Sequence, residues 1–160
     1  MQVEMVIKGL MVDPITSMPI VVLRDSDGQR VLPIWVGVFE ANAIALQIEN
    51  VATPRPMTHD LLRNVIADLR GTVERVAVTD LKDNTFYAVI YLRVGEELVA
   101  VDARPSDAIA LALRTKAPIF VDERVLETAK GIETPDTGDT DRLQRWLESL
   151  DPDDLGKYKM

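Results

Sequence analysis

From residue 3 to residue 115 the chain is written as two groups of three strand-like runs, each group followed by a helix-forming string. That rhythm limits the fold more than any other feature. In the first group, residues 3–12, 20–24 and 31–36 are rich in Val, Ile and Leu, which suit a pleated, half-buried surface. The stretch DSDGQR (residues 25–30) folds the second run onto the third. Its Asp27-Gly28 pair is a turn dipeptide, because glycine adopts a positive φ without steric cost. Gly37 closes the group, and residues 40–50 follow as a helix of Ala, Ile and Leu.

In the second group, residues 74–81, 85–94 and 97–103 are strands, joined at Lys82-Asp83-Asn84 and Gly95-Glu96. Residues 106–115 follow as a helix that is apolar nearly all round, and so is expected to be buried. The strings Ala43-Ile44-Ala45-Leu46 and Ala108-Ile109-Ala110-Leu111 lie 65 residues apart in matching places. The expected fold class is α+β, with mixed or antiparallel sheets, packed helices and an internal duplication of a β-β-β-α unit. The alternative to duplication is coincidence, since Ala-rich strings form helices readily.

Between the groups, residues 52–56 (ATPRP) make a stiff loop, each proline fixing its own φ and restricting the residue before it. Residues 58–70 read as a helix with Leu61, Leu62, Val65, Ile66 and Leu69 on one face and Gly71 as its C-cap. Beyond the second group come a short strand at 118–121 and a helix at 122–130. Residues 131–141 have linker composition. An amphipathic helix is expected at 141–150, docking through Trp146 and Leu147 or lying at a subunit contact. The expected organisation is one domain over residues 1–131, then a linker, the amphipathic helix and a polar tail over 132–160.

Composition removes whole classes of chemistry. There is no cysteine, which excludes disulfides, thiolate zinc sites and cysteine nucleophiles. The single histidine, His59, excludes any site needing two imidazoles from one chain. The N-terminus is too short and too charged for a signal peptide, and no apolar run approaches membrane length. A cytoplasmic protein that does not enter a membrane is therefore expected. Net charge is −8, half of it in residues 132–160, where eight acids face four bases. That balance argues against broad electrostatic capture of nucleic acid and requires a local basic groove instead. Exposed edges of short antiparallel strands need covering, so a homo-oligomer, with a dimer favoured, is expected.

Two stretches carry the functional question: RPMTHDLL (residues 55–62) and RPSDAIAL (residues 104–111). In each, an Arg-Pro step leads into a helix start bearing a hydroxyl and an aspartate. Thr58 and Ser106 suit N-caps, and Asp60 and Asp107 favour the helix dipole. Capping does not account for His59, the side chain suited to proton transfer at neutral pH. Nor does it account for Asp102 and Arg104 at the end of a strand. Arg55 and Arg104 would match phosphate oxygens beside helix N-termini, the alternative being structural salt bridges and solvation. Glu40, Asp60, Asp102 and Asp107 could together hold Mg²⁺ or another divalent cation, or each could simply favour its own helix start. Trp35, Phe86 and Tyr87 read as core or half-buried sheet residues.

LPIWVGVFEANAIAL, PRPMTHDLL, DLKDNTFYAVIYL and VDARPSDAIALALRTKAPIFV, in that order, resemble the bifunctional nuclease domain family over residues 1–127. The resemblance implies an α+β fold and hydrolysis of phosphodiester bonds in DNA and RNA, as in plant members, and hence nucleic acid as partner. The family's recurrent blocks fall on Glu40, Arg55, Thr58, His59, Asp60, Phe86, Tyr87, Asp102, Arg104, Ser106 and Asp107. An enzyme of this kind would use His59 as general acid or base. Asp60, Asp102, Asp107 or Glu40 would orient water or a metal ion. Arg55 and Arg104, with Thr58 and Ser106, would hold the substrate. Arg55, His59, Asp60, Arg104 and Asp107 must then converge in a concave, locally basic cleft. The competing expectation is a non-catalytic module whose helix starts bind an anion or a partner.

Overall fold

The computed structural model describes residues 1–129 and the backbone of residues 132–133. The amphipathic helix expected at 141–150 lies outside the described residues. The strands are β1 (Gln2–Val12), β2 (Pro19–Asp25), β3 (Arg30–Trp35), β4 (Gly71–Lys82), β5 (Thr85–Val94), β6 (Glu97–Ala103), β7 (Ile119–Asp122) and the two-residue β8 (Ile132–Glu133). The helices are α1 (Val38–Ile48), α2 (Thr58–Asp68), α3 (Pro105–Thr115) and α4 (Glu123–Thr128). The fold class is α+β, as the sequence rhythm implies.

All eight strands join one mixed sheet in the order β6-β5-β4-β7-β1-β2-β3-β8. Each sequence group is an antiparallel meander, β1-β2-β3 or β4-β5-β6, followed in the chain by a helix. β7 lies between the meanders, antiparallel to β1 and parallel to β4. This order accommodates a duplicated β-β-β-α unit, with α2, β7, α4 and β8 as elements that have no counterpart.

The connection from β6 through α3 to β7 lays α3 across β4 and β5, and α1 and α2 pack on α3. The burial explains the composition of α3. Ala108, Ile109, Ala110, Leu111 and Ala112 are all buried, and the small alanines let neighbouring elements approach. The principal core joins this helix to Leu23, Leu32, Ile34, Val76, Ala88 and Val121. Ile20, Val22, Val31 and Trp35 form a second apolar cluster. In β2 the run Ile20–Leu23 is buried at every position, so the strand reads as a continuous aliphatic string without alternation.

Several local boundaries differ from the sequence pattern. Thr58 does not cap α2. It is the first helical residue, after Met57, and Asp60 Oδ2 accepts from the Met57 N–H at 3.0 Å. Ser106 likewise lies one residue inside α3, because proline favours the first helical position and moves the start to Pro105. The C-terminal end of α2 is turned by Arg70, with φ +66°, while Gly71 already belongs to β4. Among the aromatics, Trp35 and Phe86 are buried, whereas Tyr87 is partly exposed.

Asp13 holds the turn between β1 and β2. Its carboxylate is fully buried and accepts from the Trp35 indole N–H at 2.9 Å and from the Ile15 and Thr16 amides. Burial pulls its pKa upward, but those donors outweigh it and hold the carboxyl below the ordinary value of 3.8. The Asp13→Ala variant should lose about 2–4 kcal/mol in denaturant unfolding at neutral pH, since it orphans a buried indole and backbone amides. Because the folded-state pKa is depressed, this stabilisation is present above 3.8 and is lost as pH falls through the lower folded value. The gap between the parent protein and the variant should therefore narrow on acidification below 3.8.

Candidate functional site

The start of α3 delivers Arg104 and Asp107, the start of α2 delivers His59, and the first turn of α1 delivers Glu40. The packing of α1 and α2 against α3 brings these side chains together. His59 Nε2 lies 2.8 Å from Asp107 Oδ1, across 48 residues of sequence. Arg104 Nε donates to the other oxygen of Asp107 at 2.9 Å, and its Nη1 reaches Glu40 Oε1 at 3.0 Å. The result is a continuous chain of contacts, His59–Asp107–Arg104–Glu40. The Asp107 carboxyl is held below the ordinary carboxylate value. Burial opposes its ionisation, but the hydrogen bonds and charges of Arg104 and His59 prevail. Glycine at position 37 leaves room for the Glu40 carboxylate, since a Cβ there would collide with Glu40 Oε2.

This chain of contacts lies at a cleft of about 940 Å³ between α2 and the β5–β6 hairpin. Leu61, Leu62, Val65, Ile90, Leu92 and Val101 provide apolar lining, and Phe39 stands at it with 87% of its surface exposed. Thr58 and Asp102 also line this cleft. None of the residues of α2 is buried, so its apolar face looks into the cleft without a covering element among the described residues.

The sequence expectation that five residues meet is met by three. Asp60, next to His59, points away to Arg114, whose Nε donates to Asp60 Oδ1 at 2.7 Å. Arg55 lines a different, smaller cleft of about 320 Å³ that also receives Asp60 and Arg63. Ser106 is fully buried and does not line the large cleft. The expectation of local basicity also fails. Of the charged lining residues, Arg104 is the one permanent cation, facing Glu40, Asp102 and Asp107. The four carboxylates do not gather either. Asp60 is tied to Arg114, Glu40 and Asp107 are tied to Arg104, and no three potential ligand residues form a metal-binding group among the described residues.

Arg114 is the residue that sequence reasoning missed. Its side chain is 2% exposed. Besides Asp60 it donates to the carbonyls of Ala110 at 2.9 Å and Ala43 at 3.0 Å, so one guanidinium joins α1, α2 and α3. A signal was present: an arginine in a helix otherwise read as buried must have an acidic partner. The Asp60 carboxyl is held below its ordinary value, because the Met57 amide and Arg114 outweigh the cost of burial.

An α+β domain with a histidine–carboxylate–guanidinium chain beside an apolar cleft defines a class by its geometry, and comparison with known proteins assigns the family. The bifunctional nuclease domain matches residues 21–134, and the chain belongs to this family. An uncharacterized protein of Mycobacterium tuberculosis is 40% identical over 163 residues, covering 95% of this chain and 97% of that protein. Bifunctional nuclease 1 of Arabidopsis thaliana is 33% identical over 129 residues, covering 73% of this chain and 39% of the plant protein. Bifunctional nuclease 1 of Oryza sativa subsp. japonica is 31% identical over 109 residues, covering 66% and 33% respectively. No helix among the described residues is long and apolar enough to cross a membrane.

Replacing Arg114 by Ala should destabilise the domain by about 3–5 kcal/mol, because it removes the charge partner of Asp60 and the guanidinium that ties the three helices together. Urea unfolding checks this, with the loss read as a lower midpoint at an unchanged slope.

Proposed function

We propose that the protein hydrolyses phosphodiester bonds of nucleic acid at the His59–Asp107–Arg104 chain. The observation that carries this reading is the 2.8 Å contact between His59 Nε2 and Asp107. A carboxylate on one ring nitrogen fixes the tautomer and leaves Nδ1 as the basic atom, an arrangement suited to a general base. In the proposed step, Nδ1 takes a proton from water as the water oxygen bonds to phosphorus. The bond from phosphorus to the leaving oxygen then breaks, and the imidazolium returns the proton to that oxygen. Arg104 stabilises charge on the phosphoryl oxygens, which compete with Glu40 for its Nη1. Thr58 and Asp102 contact the substrate at the cleft wall, and the apolar wall receives an unstacked base. Family membership and the named activity of the plant relatives support the same reading.

The apolar lining, with Arg104 as its one permanent cation, favours a second reading, a non-catalytic module that takes a partner or ligand with an apolar body and one anionic group. One assay separates the two. Highly purified protein is incubated with single-stranded DNA and RNA, with and without EDTA, beside His59→Ala. Turnover should fall about 10²–10⁴-fold in the variant while binding of the same strands persists. Equal cleavage by the variant would sink the catalytic proposal. Binding without turnover in the parent protein would leave the second reading.

A further inference from the structure

We infer a second nucleic-acid subsite, for a phosphate neighbouring the scissile one, in the smaller cleft formed by Arg55 and Arg63. The inference rests on the phosphodiester reading of the His59 cleft and extends it to the substrate's backbone. It starts from an electrostatic deficit. The only permanent cation lining the large cleft, Arg104, is already shared by two carboxylates, so that cleft cannot by itself hold a polyanion on a chain of net charge −8. Cations that could do so lie on the other side of the first turn of α2. Consecutive residues divide there: His59 lines the large cleft, and Asp60 lines the small one.

Among the described residues Arg55 has no ion pair, and Arg63 hydrogen-bonds only to the neutral side-chain oxygen of Asn64, while its charge acts on Asp60 without an ion-pair contact. The acid in the small cleft, Asp60, is occupied by Arg114 and the Met57 amide. Neither guanidinium is therefore locked in a close ion pair. The wall that carries Arg55 is also stiff. Pro54 and Pro56 flank it, and Thr53 Oγ1 donates to the Arg55 carbonyl at 2.8 Å, so little backbone freedom is lost when an anion binds. Paired guanidinium forks match phosphate oxygens in charge and geometry. A strand whose reacting phosphate lies at Arg104 and His59 would pass over the start of α2 and place an adjacent phosphate between Arg55 and Arg63.

The test is the salt dependence of binding, measured by fluorescence anisotropy with a labelled phosphorothioate dodecamer of thymidine, beside the parent protein's cleavage of the ordinary dodecamer. The double variant R55A/R63A should weaken dodecamer binding on the order of tenfold and reduce the slope of log K against log salt by about 0.7, one phosphate contact on a single strand. The variant R55K/R63K, which keeps the charges, should restore most of the slope. An unchanged slope in R55A/R63A overturns the subsite while leaving His59-dependent cleavage intact. A reduced slope in a protein that cleaves nothing keeps the subsite and defeats the catalytic reading. Displacement of the dodecamer by inorganic phosphate at matched ionic strength would show a site for a free anion, and also overturns the proposal.

Discussion

Arg114 is the interaction on which the arrangement of the site depends. A guanidinium with 2% of its side chain exposed must be neutralised and fully hydrogen-bonded, or its burial would be prohibitive. Three partners meet that demand, and each comes from a different helix: Asp60 of α2, the Ala43 carbonyl of α1 and the Ala110 carbonyl of α3 itself. Removing any one of them leaves a charge or dipole unsatisfied in a low-dielectric interior. The three helices are therefore held in one relative placement. Asp60 is anchored by Arg114 on one side and by the Met57 amide on the other, which fixes the first turn of α2. With that turn fixed, His59 faces the opposite cleft and meets Asp107.

The site so assembled is electrostatically unusual for the nucleic-acid cleavage proposed for it. Its cationic group is held between two acids, and much of its wall is aliphatic. Such a cleft favours a ligand with an apolar body and one anionic group, which describes a nucleotide with its base unstacked better than it describes a duplex. In the proposed function backbone charge has to be met elsewhere, and the subsite inferred at Arg55 and Arg63, which line the smaller cleft, would meet it. The low polarity of the wall has a second effect. It strengthens the His59–Asp107 contact by limiting the water that competes for it, whereas Arg104, with 54% of its side chain exposed, stays open to solvent.

Much of the fold could be read from the sequence because local and global signals agree. The Asp27-Gly28 turn, the β-branched runs and the Ala-rich helices each favour the element they form, and the two-meander order follows from them. The element boundaries were less legible, since tertiary packing decides them. Pro105 started α3 ahead of Ser106, and Arg70 accepted a left-handed conformation where Gly71 was expected to serve. For the site, the sequence exposed His59, Asp102 and Arg104 as residues whose chemistry capping did not exhaust, while Glu40 and Asp107 each also suited their own helix starts. It could not show which of two adjacent residues, His59 or Asp60, would face which cleft, because that depends on the partner that Arg114 supplies. The division of the two Arg-Pro steps between two clefts has the same origin. Arg104 reaches Asp107 within its own helix start, whereas Arg55 belongs to a proline-stiffened loop beyond the reach of that cluster.

The central claim is that His59 and Asp107 act as one unit on a phosphodiester. A double-mutant cycle on turnover tests it most directly, using His59→Ala, Asp107→Ala and the double variant on the same single-stranded substrate. If the carboxylate works chiefly by orienting the imidazole, the double variant should be far less impaired than the product of the single losses, with only the loss from an unheld Arg104 added to that of His59→Ala. Losses that multiply across the two substitutions would contradict the account, since they would mean that the two side chains act independently.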